Sequence, residues 1–366
     1  MEMIDILRLA VKQGASDVHL LIGRPPMTRV HGEVLDMPGL PALTSEEAKR
    51  LIYSMLYDEQ KQKFEQNLEL DCSFSIAGLA RFRVNVLMQI NGIEAVLRVI
   101  ASKVPAPDEI KLSPAILEFA NLSRGLVLVT GATGAGKSTT LAALIEIINQ
   151  VRRQHILTVE DPIEFVYEPK RCIVRQREVG HSTHSFQEAL KHALRQDPDV
   201  ILIGEMRDIE TISMALTAAE TGHLCFATLH TTDAAQTVDR IIDVFPPHQQ
   251  QQVRVQLSTV LKGVVCQTLV PVTDGHGRVA AREVMVVTPA IANLIREGKT
   301  HMIYGAIETG SKYGMVPLDR ALADLVNSGK ISFEDALAKA SDPQKLREYS
   351  GHGSGPRVES NRSVVY

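Results

Sequence analysis

Gly131-Ala132-Thr133-Gly134-Ala135-Gly136-Lys137-Ser138-Thr139 fits G-x-x-x-x-G-K-[ST], the phosphate-binding loop, without a mismatch. The surroundings carry as much weight as the letters. Upstream, Leu126 to Thr130 reads as a short buried strand; downstream, Leu141, Leu144, Ile145 and Ile148 recur at helical spacing. The loop therefore joins a strand to a helix, as its chemistry requires. Glycines let backbone N–H groups converge on phosphate oxygens, and the helix N-terminus adds partial positive charge. In that arrangement Lys137 contacts the β- and γ-phosphates, and the Ser138 hydroxyl binds Mg²⁺. The stretch predicts a nucleoside-triphosphate site in an α/β fold.

Further strands and helices alternate around it. Ile156–Glu160, a helix from Ser185, Val200–Ile203, a helix from Asp208 and Leu224–Leu229 follow in turn. That order implies a mostly parallel sheet with helices on both faces. Ser185 with Glu188 forms a capping-box pattern, and Gly222 falls where a helix ends. After Pro246-Pro247, the residues Val253, Leu257, Val260 and Leu261 suggest another helix, and shorter helical segments fill Pro289 to Leu346.

Phosphoryl transfer to water needs a metal, a group that orients the water, and positive charge for the transition state. Val200–Ile203 runs into Gly204-Glu205; read as a buried strand next to the phosphate-loop strand and ending in an acid, it is a Walker B arrangement. Glycine replaces the usual first acid, so Glu205 has to polarise water, help hold Mg²⁺, or both. Ile156–Val159 ends in Glu160-Asp161-Pro162, with Glu164 next; carboxylates at a carboxyl strand edge suit ligand chemistry in open α/β sheets. Thr228-Leu229-His230 closes another apolar strand, and His230 is placed for a γ-phosphate contact. His223 stays open between a structural and a catalytic role, and Arg195 and Arg207 between pairing with carboxylates and reaching across a subunit boundary.

Residues 1–100 read as a small α+β domain. Thr44 and Glu47 form a capping box ahead of Ala48, Leu51, Ile52, Met55 and Leu56. Leu70, Cys72, Phe74 and Ile76 alternate as a half-buried strand does. Ala80, Phe82, Val84, Val86 and Met88 alternate with Arg81, Arg83 and Asn85, and Asn91-Gly92 signals a two-residue turn. That turn pairs Asn85 with Arg98 and makes Arg83 and Arg98 diagonal neighbours, about 7–8 Å apart, with Arg81 on the same face. Three like charges on one face need solvent or an outside anion, and the phosphate loop supplies a candidate. Residues 101–112, with two prolines in Ala101 to Asp108, form the expected linker, and 351–366 is expected to be a disordered tail.

Composition narrows the class. With 366 residues, two domains are the natural expectation. A net charge of −4 gives no reason to expect nucleic acid. Cys72, Cys172, Cys225 and Cys266 form no C-x-x-C pair, which argues against zinc and fits a reducing cytosol. No apolar run approaches the roughly 18–20 residues that span a bilayer, and Glu2 and Asp5 lie at the N-terminus, unlike a signal peptide.

Taken together, GATGAGKST, TVEDPIEF, DPDVILIGEMRD and TGHLCFATLH resemble the Walker A, Asp, Walker B and His boxes of the secretion-superfamily ATPases. SDVHL, GRPPMTRVHGE and GLARFRVN in the first domain are similar to the type IV pilus retraction ATPases. The resemblance implies a PAS-like domain at 1–100 and a RecA-like ATPase domain at 113–350 that uses ATP and Mg²⁺. It implies a homohexameric cytoplasmic ring docked at the inner membrane on a pilus platform protein, powering pilus retraction and twitching motility, in some cases beside a paralogous ATPase. By the same mapping Glu205 is the catalytic glutamate, His230 senses the γ-phosphate, and Arg81, Arg83 and Arg98 close over the nucleotide. Relatives that extend pili or drive type II secretion typically carry a further N-terminal domain and a tetracysteine zinc insertion; neither is expected here, which by the resemblance favours retraction. Ala290 to Glu297 resembles the motif AIRNLIRE with Ala292 in place of the first arginine. That change bears on engagement with the pilus machine and leaves the ATP site untouched. Three competing readings are a pilus-assembly or secretion paralogue, a nucleic-acid translocase, and a nucleotide-gated scaffold with little turnover.

Overall fold

The computed structural model describes residues 2–30, 32–76, 78–100, 104–275 and 277–352. The start of the expected linker, 101–103, and most of the expected tail, 353–366, lie outside the described residues. His352, read from sequence as tail, stacks its ring on Phe333 with centroids 4.3 Å apart. The chain divides into two compact units, one running to Val104 with Glu164–Val166, the other comprising Pro105–Ile163 and Tyr167 onward.

The first unit is a six-stranded sheet in the order β3-β2-β1-β6-β5-β4. Its strands are β1 (Asp17–Leu20), β2 (Met27–Val30), β3 (Glu33–Asp36), β4 (Glu69–Ile76), β5 (Ala80–Gln89) and β6 (Gly92–Ile100). Every pairing is antiparallel. Phe82, Val84 and Val86 of β5 are fully buried while Arg81, Arg83 and Asn85 face outward, as a period of two dictates. Thr44 caps the helix Ser45–Tyr53 through the complete capping box read from sequence.

The hairpin register differs from the one expected. Gln89 pairs with Gly92, so the turn is Ile90-Asn91 and Arg83 stands directly opposite Arg98. Asn91 does not adopt the left-handed backbone that an Asn-Gly hairpin turn needs. Gly92 is instead the first residue of the return strand, at φ +134°, where a Cβ would sit 2.6 Å from Ser45 Oγ. Glycine is required there for close approach rather than for the turn.

The second unit carries a seven-stranded sheet in the order β13-β12-β7-β11-β10-β8-β9. Its strands are β7 (Gly125–Thr130), β8 (His155–Glu160), β9 (Ile173–Glu178), β10 (Val200–Ile203), β11 (Leu224–Leu229), β12 (Leu261–Pro271) and β13 (Arg278–Val286). All pairs from β12 across to β9 are parallel, and β13 alone runs antiparallel. β7, β10 and β11 are buried along their whole length, as strands covered on both faces must be. Helix Ile209–Glu220 packs on β7 and β11, and Asp208 caps it by accepting the Thr211 N–H.

Two expectations are corrected here. β10 is not adjacent to β7, because β11, which leads to His230, lies between them. Leu261 begins β12 rather than ending a helix; the helix stops at Val260, and Leu261 pairs in parallel with Leu126 of β7. Its helical spacing from Leu257 is real, but pairing with a central strand outweighs it.

Candidate functional site

The phosphate loop leaves β7 and runs into the helix Lys137–Val151, whose N-cap, Gly136, has φ +84°. Lys137 Nζ donates to the carbonyls of Gly131 at 2.7 Å and Ala132 at 3.2 Å. The ammonium is thus folded back over the loop.

A residue that no motif announces braces this loop from β12. Gln267 Nε2 donates to the Ala135 carbonyl at 2.6 Å, and Gln267 Oε1 accepts the Thr140 hydroxyl at 2.8 Å. Gln267 is buried, and both bonds are made in a dry environment where leaving either partner unsatisfied costs about 1–3 kcal/mol. Its partners lie more than a hundred residues away in sequence, so no local signal identifies it.

Glu205 follows β10, and His230 follows β11, the next strand over. Parallel pairing of Val200–Ile203 with Leu224–Ala227 brings the two strand ends together. His230 Nε2 lies 2.9 Å from Glu205 Oε1, while Arg207 Nη2 donates to Oε2 at 2.8 Å. Burial works to raise the Glu205 carboxyl, but the Arg207 hydrogen bond and the His230 charge outweigh it and hold it below its ordinary value. The turn itself is pinned: Thr228 Oγ1 donates to the Gly204 carbonyl at 2.5 Å, and the Met206 N–H donates to the Thr228 carbonyl at 3.1 Å. At Gly204 a side chain would fit tightly, since a Cβ would lie 3.1 Å from the Glu160 Cα and 3.2 Å from the Val159 carbonyl oxygen, and the neighbouring backbone would have to give by a few tenths of an ångström.

The remaining residues singled out from sequence are placed as follows. Glu160, at the end of β8, is buried and accepts the Thr158 hydroxyl at 2.7 Å. Glu164 is exposed and falls with the first unit. His223 bonds through Nδ1 to the Ala218 carbonyl at 2.9 Å, a structural role at the end of a helix. Arg195 is exposed, and Ala292 lies half-buried on the helix Pro289–Arg296.

In the first unit the outward face of the sheet carries a transverse row. Ser73, Arg83, Arg98, Asp17 and Arg29 sit opposite one another in register on successive strands. Asp17 pairs with Arg98 at 3.0 Å and with Arg29 at 3.6 Å. Burial acts against the Asp17 charge, but hydrogen bonds from Arg98 and Ser16 prevail and keep it below the usual carboxylate range. Arg81 donates to Ser73 at 2.6 Å. Among the described residues, Arg83 makes no ion pair.

Comparison with known proteins gives a consistent result. Residues 2–337 match the family described as type II/IV secretion system protein. PilT of Pseudomonas aeruginosa, a type IV pilus retraction ATPase, is 53% identical over 94% of this chain and 100% of its own. A twitching motility protein of Neisseria gonorrhoeae is 47% identical over 94% of this chain and 92% of its own. The crystal structure of the pilus retraction motor PilT with bound ADP superposes with a TM-score of 0.90 at 44% identity, covering 95% of this chain and 99% of that one. The phosphate loop, the two strand-end residues and the sheet that carries them therefore sit in a known ATPase architecture.

Proposed function

The chain belongs to the type II/IV secretion system protein family, and from that membership we propose that it is an ATP-hydrolysing motor that retracts type IV pili. The observation that carries the reading is one sheet edge holding both a complete phosphate loop and Glu205, the latter fixed by Arg207 and His230. Its likeness along nearly the whole length of PilT supports the retraction role.

The loop amides and Lys137 bind the phosphate chain, and Lys137 exchanges its carbonyl partners for phosphate oxygens as it does so. Ser138 and Glu205 offer the hard oxygen donors that Mg²⁺ prefers; when bound, the ion neutralises charge on the β- and γ-phosphates. Glu205, kept ionised, accepts a hydrogen bond from the attacking water and aims it at the γ-phosphorus. His230 stands beside it to contact the γ-phosphate. Arg81, Arg83 and Arg98, which share one face of the first unit's sheet, are carried over from the resemblance as the residues that supply positive charge for the transition state, in the manner of arginine fingers. We further place six copies in a ring at the cytoplasmic side of the inner membrane, acting on a pilus platform protein. Among the described residues no helix is long and apolar enough to cross a membrane.

The test combines an ATPase assay with deletion of the gene. Turnover that disappears in Lys137→Ala, together with excess surface pili and lost crawling in the deletion strain, fits retraction. Bald cells would mean assembly instead, and DNA-stimulated turnover would mean a translocase.

A further inference from the structure

Leu229 ends β11, and His230, Thr231, Thr232 and Asp233 are all that separate it from the helix Ala234–Asp243. His230 therefore stands at one end of a short span whose other end is a helix start. The bonds within this piece are internal. Asp233 Oδ1 accepts the Gln236 N–H at 2.8 Å, Thr231 Oγ1 meets Thr237 Oγ1 at 2.6 Å, and Thr237 Oγ1 donates to the Asp233 carbonyl at 2.7 Å. Span and helix start thus move together, and a displacement at Ala234 is handed on to His230.

The polar tie to the sheet comes from β13, which β7 and β12 separate from β11. The first N–H groups of a helix have no partner inside it, and Ala234 is fully buried, so its N–H cannot turn to water. Glu283 Oε1 accepts it at 2.8 Å. Glu283 is itself buried, opposite Cys266 in register, and the helix packs on both β12 and β13. Thr237 Oγ1 approaches Cys266 Sγ only to 3.9 Å. A cavity of about 170 Å³ is shared by Asp233, Glu283, Tyr304 and Ser341, so close packing does not fix the helix start from that side. The hydrogen bond does.

Burial, with the charges of Asp233 and Asp319 added, raises the Glu283 carboxyl to about 7. Protonated, it offers an acceptor oxygen without setting a negative charge against Asp233. We propose that Glu283 is a positioning residue for hydrolysis: it sets the helix start, and through the span it sets where His230 meets Glu205 and the γ-phosphate. This deepens the ATP-site reading above and rests on it. Glu283 acts only through this chain of contacts.

The test is a double-mutant cycle read by single-turnover ATP hydrolysis in the full chain, with ADP affinity measured by calorimetry. Glu283→Met fills a similar space and leaves the Ala234 N–H unpaired. It should slow hydrolysis about tenfold, less than the roughly hundredfold that a misplacement of about 1 Å costs. ADP, which lacks the γ-phosphate, should bind within about twofold of wild type. Glu283→Gln keeps an acceptor and should hydrolyse within about twofold of wild type. Added to His230→Ala, Glu283→Met should cost less than about a further twofold, because the group it positions is gone. Losses that multiply in the double variant would overturn the proposal, and so would a slow Glu283→Gln. Equal losses of rate and ADP affinity would place the effect at the phosphate loop and overturn it too. If Glu283→Met fails to fold, Thr231→Val, which cuts the tie to Thr237, takes the same measurements with the same expected outcomes. Wild-type hydrolysis in His230→Ala alone would sink the reading of His230, and the proposal with it.

Discussion

Arg83 and Arg98 stand directly across from each other on adjacent antiparallel strands, yet among the described residues only Arg98 of the two has a carboxylate, the buried Asp17 on its far side. The two arginines should therefore respond differently to removal. Arg83→Ala takes away a cation that makes no ion pair among the described residues. We expect it to slow hydrolysis at least tenfold while changing nucleotide affinity little, part of the roughly 10³–10⁵ an arginine finger can supply. Arg98→Ala strips Asp17 of its closer partner and should lower the melting temperature as well. Single-turnover kinetics with calorimetric melting distinguishes them; equal losses of rate and affinity in Arg83→Ala would contradict its role.

Glu205→Gln keeps the shape and the Arg207 contact but cannot draw a proton from water. It should retain ATP binding and lose hydrolysis by about a hundredfold or more. Because the carboxylate is held below its ordinary value, its contribution is present above the unfolded value and fades only as acid protonates it. The rate between pH 6 and 8 should show no step assignable to Glu205. Wild-type rates in Glu205→Gln would transfer the role to another carboxylate, with Glu164 the next candidate.

Gln267→Met preserves size and removes both bonds to the loop. Leaving the Ala135 carbonyl and the Thr140 hydroxyl unpaired should cost about 1–3 kcal/mol each and raise the KM for ATP more than it lowers kcat. Thermal melts and steady-state kinetics read this out. A variant as stable as wild type would show that the brace is dispensable.

Glu283 on β13 makes stability depend on pH. It is buried, it accepts the Ala234 N–H at 2.8 Å, and burial raises its carboxyl to about 7. Between its unfolded value and about 7 the folded chain holds a proton that the unfolded chain releases. Stability from this group is therefore full in acid and lost as pH rises through that window. Glu283→Gln should flatten the slope, measured as the difference in denaturant midpoint between pH 5 and pH 8. An unchanged slope would refute it.

The phosphate loop was legible because its chemistry is local: spacing, glycines and the adjoining strand and helix all lie within twenty-odd residues of sequence. The position of Glu205 at a strand end was legible for the same reason, whereas its pairing with Arg207 was left open by the sequence. Gln267 and the β12–β13 hairpin were not. The run from Leu261 is apolar at both strand and helix spacing, and only pairing with β7 decides between them. The hairpin register was misjudged because Asn91-Gly92 mimics a turn signal while Gly92 answers to Ser45, far away in sequence. The order of β10 and β11 relative to β7 is likewise a property of the assembled sheet, which no single segment encodes.

Gly204 has a consequence for how this lineage can vary. With the backbone of β8 close against it, an aspartate installed there requires that strand to give by a few tenths of an ångström. A second acid at this turn thus comes coupled to a shift of β8, whereas Arg207 and His230 touch the carboxylate directly. Those two neighbours are the natural places to look for fast and slow versions of the engine.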